Sequence, residues 1–97
     1  MRKIALLIPA LLAACATAPA ATPVHGVTPG HKCDAAGTDR FIGQAGTRAT
    51  GATIKRATNA AVLRWAPPGV MLTMDFREDR VTVYLGPGKK VTKVNCG

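Results

Sequence analysis

Two stretches of the chain alternate apolar and polar positions with a period of two. Over residues 61–66, Leu63 and Trp65 fall on one face while Val62 and Arg64 fall on the other, the pattern of a strand. Pro67 and Pro68 end its ladder, because proline has no N–H to donate. Val81, Val83 and Leu85 predict a second strand over residues 80–85, and residues 91–95 a short third. Gly86-Pro87-Gly88, followed by Lys89 and Lys90, reads as the turn between them. Upstream, Ile54, Ala57 and Ala61 recur at i, i+3 and i+7 and predict a helix within residues 45–59, with Thr47 or Thr50 as its cap. Gly51 inside that helix costs about 1 kcal/mol relative to alanine. The order helix, strand, long loop, strand, turn, strand defines a small single α+β domain.

The long loop is the informative part. Between the first two strands, residues 68–79 have no helical period and no short hairpin turn. A connection of that length in so small a domain is either functional or disordered. This one carries Met71, Leu72, Met74 and Phe76 on what reads as exposed backbone, with Arg77 and Arg80 beside them. Apolar side chains set out in this way point to a surface offered to a partner.

The beginning of the chain has a different character. Arg2 and Lys3 precede an apolar run from Ile4 to Ala14, which is too short for a spanning helix of ~20 residues and reads as a secretory signal, residues 1–14. Leu12-Ala13-Ala14-Cys15 resembles a bacterial lipobox, which makes Cys15 the expected lipidation site and first mature residue. Cleavage after Ala20 is the alternative. Ala16 is not the aspartate that favours inner-membrane retention, and the signal and lipobox lead to an exported cell-envelope protein. Its expected location is the outer membrane, lipid-anchored and facing the periplasm. Residues 15–30, rich in Ala, Thr and Pro, lack the apolar content to offset ordering entropy and read as a tether. The folded domain is then residues 31–97.

A domain this small needs a staple. Cys33 and Cys96 stand at its two ends, and an exported chain meets an oxidising compartment, so a disulfide between them is expected. The alternative, a metal held by His31 and Cys33, falls short of a four-coordinate ligand set.

The formal charge is +8, reduced by two once Arg2 and Lys3 are removed. Lys32, Arg48, Lys55, Arg56, Arg64, Lys89, Lys90 and Lys93 are dispersed and read as solvated faces. Trp65 and Tyr84 are the sole tryptophan and tyrosine, so a base-stacking platform is missing and nucleic acid is not an expected partner. The chain has no serine, and both histidines, His25 and His31, lie in or beside the tether. A nucleophile with a positioned base is therefore not in view, and no enzyme activity is expected. Asp34 and Asp39 read as turn or cap residues around Gly37.

The segment Thr73-Met74-Asp75-Phe76-Arg77, followed by Asp79-Arg80-Val81 and preceded by Pro68, resembles the reactive loop of potato inhibitor I type serine-protease inhibitors. Cys33 and Cys96-Gly97 make the chain more similar to a sister group, the disulfide-bearing bacterial and fungal peptidase inhibitors of family seventy-eight, which include a fungal elastase inhibitor. Phe41-Ile42-Gly43-Gln44 adds weaker support.

The resemblance implies that the first two strands run parallel, that the loop crosses the end of the domain, and that the helix covers one face of a short mixed sheet. It places the scissile bond between Met74 and Asp75. Met74 would fill the protease's specificity pocket, Thr73 and Leu72 would lie before it, and Phe76 and Arg77 on the leaving-group side. Arg80 would brace the loop from beneath through Asp75 and the hydroxyl or carbonyl of Thr73. Thr82 departs from the pattern, since many relatives carry a second bracing arginine there, and Arg77 or the disulfide would have to compensate.

The expected partner is a subtilisin-, chymotrypsin- or elastase-like serine protease, bound by a monomer without cofactor or metal. The alternative reading is a basic, envelope-anchored binding module for anionic lipid or a partner protein, without inhibitory activity.

Overall fold

In the computed structural model, residues 24–97 are described. The expected signal sequence, the expected lipidation site Cys15 and the first part of the expected tether lie outside them. A 3₁₀ turn at Thr38–Phe41 leads into helix α1, Arg48–Thr58. Strands β1 (Val62–Ala66), β2 (Arg80–Leu85) and β3 (Val91–Cys96) form one sheet in the order β1-β2-β3. β1 and β2 are parallel, with Arg64 opposite Thr82; β2 and β3 are antiparallel, with Thr82 opposite Asn95. The domain is α+β, one helix and a mixed three-stranded sheet, as the sequence pattern and the resemblance led one to expect.

Helix α1 starts where Thr47 accepts a hydrogen bond from the Thr50 amide, which satisfies one orphan donor of the first turn. It ends at Asn59, whose left-handed φ of 62° suits the short polar side chain. Its buried stripe is Gly51, Ile54 and Thr58, so the expectation for Ala57 is corrected: Ala57 faces solvent, and Ala61 lies beyond the helix. Thr58 can be fully buried because its hydroxyl donates to the Ile54 carbonyl at 2.8 Å. Gly51 is required by packing. A Cβ there would come within 2.6 Å of the Trp65 ring, so the glycine is what lets the helix lie down on β1.

The core consists of Phe41, Ile54, Ala60, Val81, Val83 and Val91, with Cys33, Leu63, Trp65, Leu85 and Val94 packed against it. Trp65 is thus a packing residue. The 3₁₀ turn, which periodicity did not reveal, is what delivers Phe41 to this core. Asp34 accepts from the Ala36 amide at 2.9 Å and Asp39 lies in the first turn of the 3₁₀ segment, the local roles expected of them.

Cys33 and Cys96 are disulfide-bonded across 63 residues of sequence. The Cys33 sulfur is therefore committed, which removes it as a metal ligand; His31 instead donates through Nδ1 to the Asn59 carbonyl at 3.1 Å.

Residues 24–30, expected to belong to an unstructured tether, make defined contacts in the fold. The Gly26 carbonyl accepts from the Asp79 amide at 3.1 Å, the Thr28 hydroxyl donates to the Asp79 carboxylate at 2.6 Å, and the Gly30 carbonyl accepts from the Asn59 side chain at 3.0 Å. These are individual polar contacts, not an apolar face, which is why composition gave no sign of them.

Candidate functional site: the loop between β1 and β2

A crossover between parallel neighbours needs a long connection. Here it is the extended segment 67–79, which arches over the polar face of the sheet. Pro67 and Pro68 stop β1, and a turn at Pro68 and Gly69 redirects the chain. From there to Arg77 the backbone follows no regular element. Met71 is 93% exposed, Met74 98% and Phe76 69%, whereas Leu72 is half-buried. Two methionines and a phenylalanine set in solvent on one loop, while Val81, Val83 and Val91 are buried in the core, give that loop an exposed apolar surface.

The backbone beneath these side chains is tied down. Arg80 opens β2 with only 7% of its surface exposed. Its Nη2 donates to the Asp75 carbonyl at 2.8 Å, its Nε to the Gly97 backbone oxygen at 3.0 Å, and its Nη1 lies 3.7 Å from the Asp75 carboxylate. Arg80 is thus an interior brace and not a surface arginine beside Asp79. The sequence-level acceptor Asp75 is met; Thr73 is held by another residue.

That residue is Arg64. From β1 its Nε donates to the Thr82 hydroxyl and its Nη1 to the Thr73 hydroxyl, both at 3.2 Å. Thr73 in turn donates to the Asp75 carboxylate. Thr82 donates to the Gly97 oxygen at 3.0 Å, so it joins Arg64 and Arg80 in a continuous polar layer under the loop. Arg64 had been counted among dispersed solvated charges. The parallel register puts it directly opposite Thr82, where a guanidinium from the neighbouring strand reaches the loop. The bracing that Thr82 was expected to lack comes from one strand over.

Arg77 turns inward. Its Nε and Nη2 donate to the two carboxylate oxygens of Asp79, each at 3.0 Å, a bidentate pair with Asp79 fully buried. The carbonyl of Asp79 also accepts from the Ala61 and Val62 amides at 2.8 and 3.1 Å, anchoring the end of the loop to the start of β1. In the sequence Asp79 is part of the Asp79-Arg80-Val81 motif but has no role of its own; an acidic residue in a charged run shows that role only when the fold encloses it.

The two carboxylates are held as anions. Asp75 is lowered to about 2, chiefly by the Thr73 hydroxyl and then by His25, whose Nε2 lies 3.2 Å away; Arg80 contributes less. Asp79 is also lowered to about 2, by the Arg77 guanidinium first and the Thr28 hydroxyl second. Burial pushes Arg80 down, while the hydrogen bonds to Asp79 push Arg77 up. Asp79 is locked to Arg77, and Asp75 is held by Thr73 and His25 with Arg80 nearby, so both carboxylates hold the loop's shape.

A mixed three-stranded sheet, one helix, one disulfide and a braced, exposed crossover loop make up a small scaffold that displays a segment of chain. Residues 33–97 match the peptidase inhibitor I78 family, and the chain belongs to that family. Among solved structures it is similar to the elastase inhibitor AFUEI in crystal form II, with a TM-score of 0.50 and 24% identity over 61% of this chain and 81% of that one. That likeness is one of fold. No curated protein matches the chain. Family membership brings with it a protease as partner.

Proposed function

We propose that the protein inhibits serine proteases of the subtilisin-, chymotrypsin- or elastase-like type, with Leu72 to Arg77 as its reactive loop and Met74-Asp75 as the scissile bond. The observation that carries this reading is the contrast at one peptide. Met74 is 98% exposed, while the carbonyl of the next residue is fixed by Arg80. Thr73, on the other side, is fixed by Arg64. A protease that accepts an unbranched apolar side chain would take Met74 into its pocket without reshaping the loop. The ordering entropy has already been lost on folding, so little is lost again on binding. After cleavage, Arg80 and Arg64 would keep the two ends in register, and resealing would compete with release. The molecule is a ligand for an enzyme and not an enzyme.

Substituting Met74→Lys tests the assignment. Inhibition should move from subtilisin- and chymotrypsin-like enzymes to trypsin-like ones, whose acidic pocket suits a basic side chain. Unchanged inhibition by the lysine variant would put the contact elsewhere and favour the binding-module alternative.

The protein is further proposed to be exported and lipidated at Cys15, and so held on the periplasmic face of the outer membrane. Support comes from the lipobox-like Leu12-Ala13-Ala14-Cys15 at the end of the apolar run. Cys15→Ser should move the protein from the membrane to the soluble fraction, and retention of the substituted protein would refute the anchor.

A further inference from the structure

We propose that residues 24–31, which precede the stretch shared with the family, are a strap that positions the inhibitory loop, with Thr28 and His25 as positioning residues; this rests on the loop assignment above. The family match begins at Cys33. The segment before it nevertheless reaches the loop at three places. The Thr28 hydroxyl donates to Asp79, the residue that orients Arg77. The Gly26 carbonyl takes the Asp79 amide. His25 donates to the carboxylate of Asp75, at the proposed scissile bond.

The strap is shaped for that place. It folds through two tight turns, in which the Val27 amide donates to the Val24 carbonyl at 3.0 Å and the His31 amide to the Thr28 carbonyl at 2.9 Å. Gly26 is buried with φ of +79°, and a Cβ there would lie 3.0 Å from the Arg77 Cα. Only glycine lets the strap lie against the loop backbone in that conformation. Its far end is secured on the helix C-cap, where Asn59 donates to Gly30 and accepts from His31. The strap therefore links the end of α1 to the downstream half of the loop, the half that Arg64 does not reach. The two arginine braces act on Thr73 and Asp75; the strap acts on Arg77 through Asp79 and on Asp75 from outside.

A buried carboxylate shared between Arg77 and Thr28 has no other side-chain donor among the described residues. Removing the hydroxyl leaves one carboxylate lone pair unmet and Arg77 less tightly held. The consequence is kinetic. A loop whose downstream half is loose still enters a protease, but after cleavage that half leaves sooner.

The test uses the full chain with Thr28→Val, which keeps the shape and removes the hydroxyl, Thr28→Ser as rescue, and His25→Ala. Inhibition of subtilisin, hydrolysis of the Met74-Asp75 bond and amide exchange at Asp79 are measured together. Thr28→Val should weaken inhibition on the order of tenfold and speed cleavage of that bond. It should also raise exchange of the Asp79 amide, while amides of β2 and β3 stay protected. Thr28→Ser should restore all three, and His25→Ala should show a smaller loss. Parent-like inhibition and cleavage by Thr28→Val would overturn the strap's role while leaving the loop assignment standing. If the parent itself fails to inhibit any protease, the loop assignment fails and the strap's inhibitory role with it. The Asp79 amide in the parent then still reports whether the strap is docked.

Discussion

Replacing Arg80 by alanine should damage inhibition far more than folding. Arg80 makes two charge-assisted hydrogen bonds to backbone oxygens, to Asp75 at 2.8 Å and to Gly97 at 3.0 Å. A hydrogen bond to a charged group contributes about 1.5–3 kcal/mol. The two contacts are not equal in consequence. The Gly97 oxygen keeps the Thr82 hydroxyl after the change, so that end of the layer remains satisfied. The Asp75 carbonyl belongs to an exposed residue and can turn to water, so the fold bears little of the loss. What disappears is the hold on the proposed scissile segment. The contribution of one such bond corresponds to a loss of inhibition of about tenfold to somewhat over a hundredfold. Arg80→Met, which keeps most of the buried stem, separates the missing hydrogen bonds from the missing volume. Inhibition constants against subtilisin, thermal melting and mass-spectrometric detection of a Met74-Asp75 cut should be read on the same samples. Both variants should melt cooperatively with β2 intact, inhibit weakly and be cut faster than the parent. A parent-like inhibition constant in Arg80→Met, with the fold intact, would refute the claim that this guanidinium braces the loop.

Arg64→Ala should behave like a milder version of the same change, because it frees Thr73 but leaves Asp75 on Arg80; steady-state inhibition of subtilisin should fall by severalfold to about tenfold, and no change would return Arg64 to the solvated surface. Reducing the Cys33–Cys96 bond should cost about 4 kcal/mol for a loop of this size in the chain-entropy treatment, seen as a marked drop in melting temperature with dithiothreitol. Asp75 and Asp79 titrate in the fold at about 2, below the unfolded value of 3.8, so the stability they supply is complete above about pH 4 and is lost as pH falls towards 2. Melting temperature should fall through that window, and Asp79→Asn should flatten the fall while lowering stability at neutral pH; an unaltered acid profile in the variant would rule out Asp79 as a contributor.

The strands and the loop were legible because they depend on neighbours in sequence. Alternation around Leu63 and Trp65, and around Val81 and Val83, marks strands, and Pro67 and Pro68 mark where the first must stop. The pairing of the last two cysteines followed from their position and the expected compartment. Arg64 and Asp79 were not legible for a common reason. A guanidinium on β1 braces the loop only because parallel pairing sets it opposite Thr82, and a carboxylate after Glu78 becomes structural only when Arg77, Thr28 and the start of β1 close around it. The strap is the sharper case. Its composition is that of a linker, and a few directed contacts to Asp79, Asp75 and Asn59 outweigh that composition. The helix stripe was misread at Ala57 because a buried threonine, Thr58, satisfies its hydroxyl within its own helix and so does a hydrophobic residue's work.

The most direct test of the central claim is to incubate the purified protein with catalytic amounts of subtilisin, chymotrypsin, elastase and trypsin, titrate the residual activity, and map any bond cut. Stoichiometric loss of activity for the enzymes that accept apolar residues, little effect on trypsin, and slow cleavage confined to Met74-Asp75 is the predicted result. Rapid degradation without inhibition, or inhibition with cleavage mapped to another segment, would contradict it.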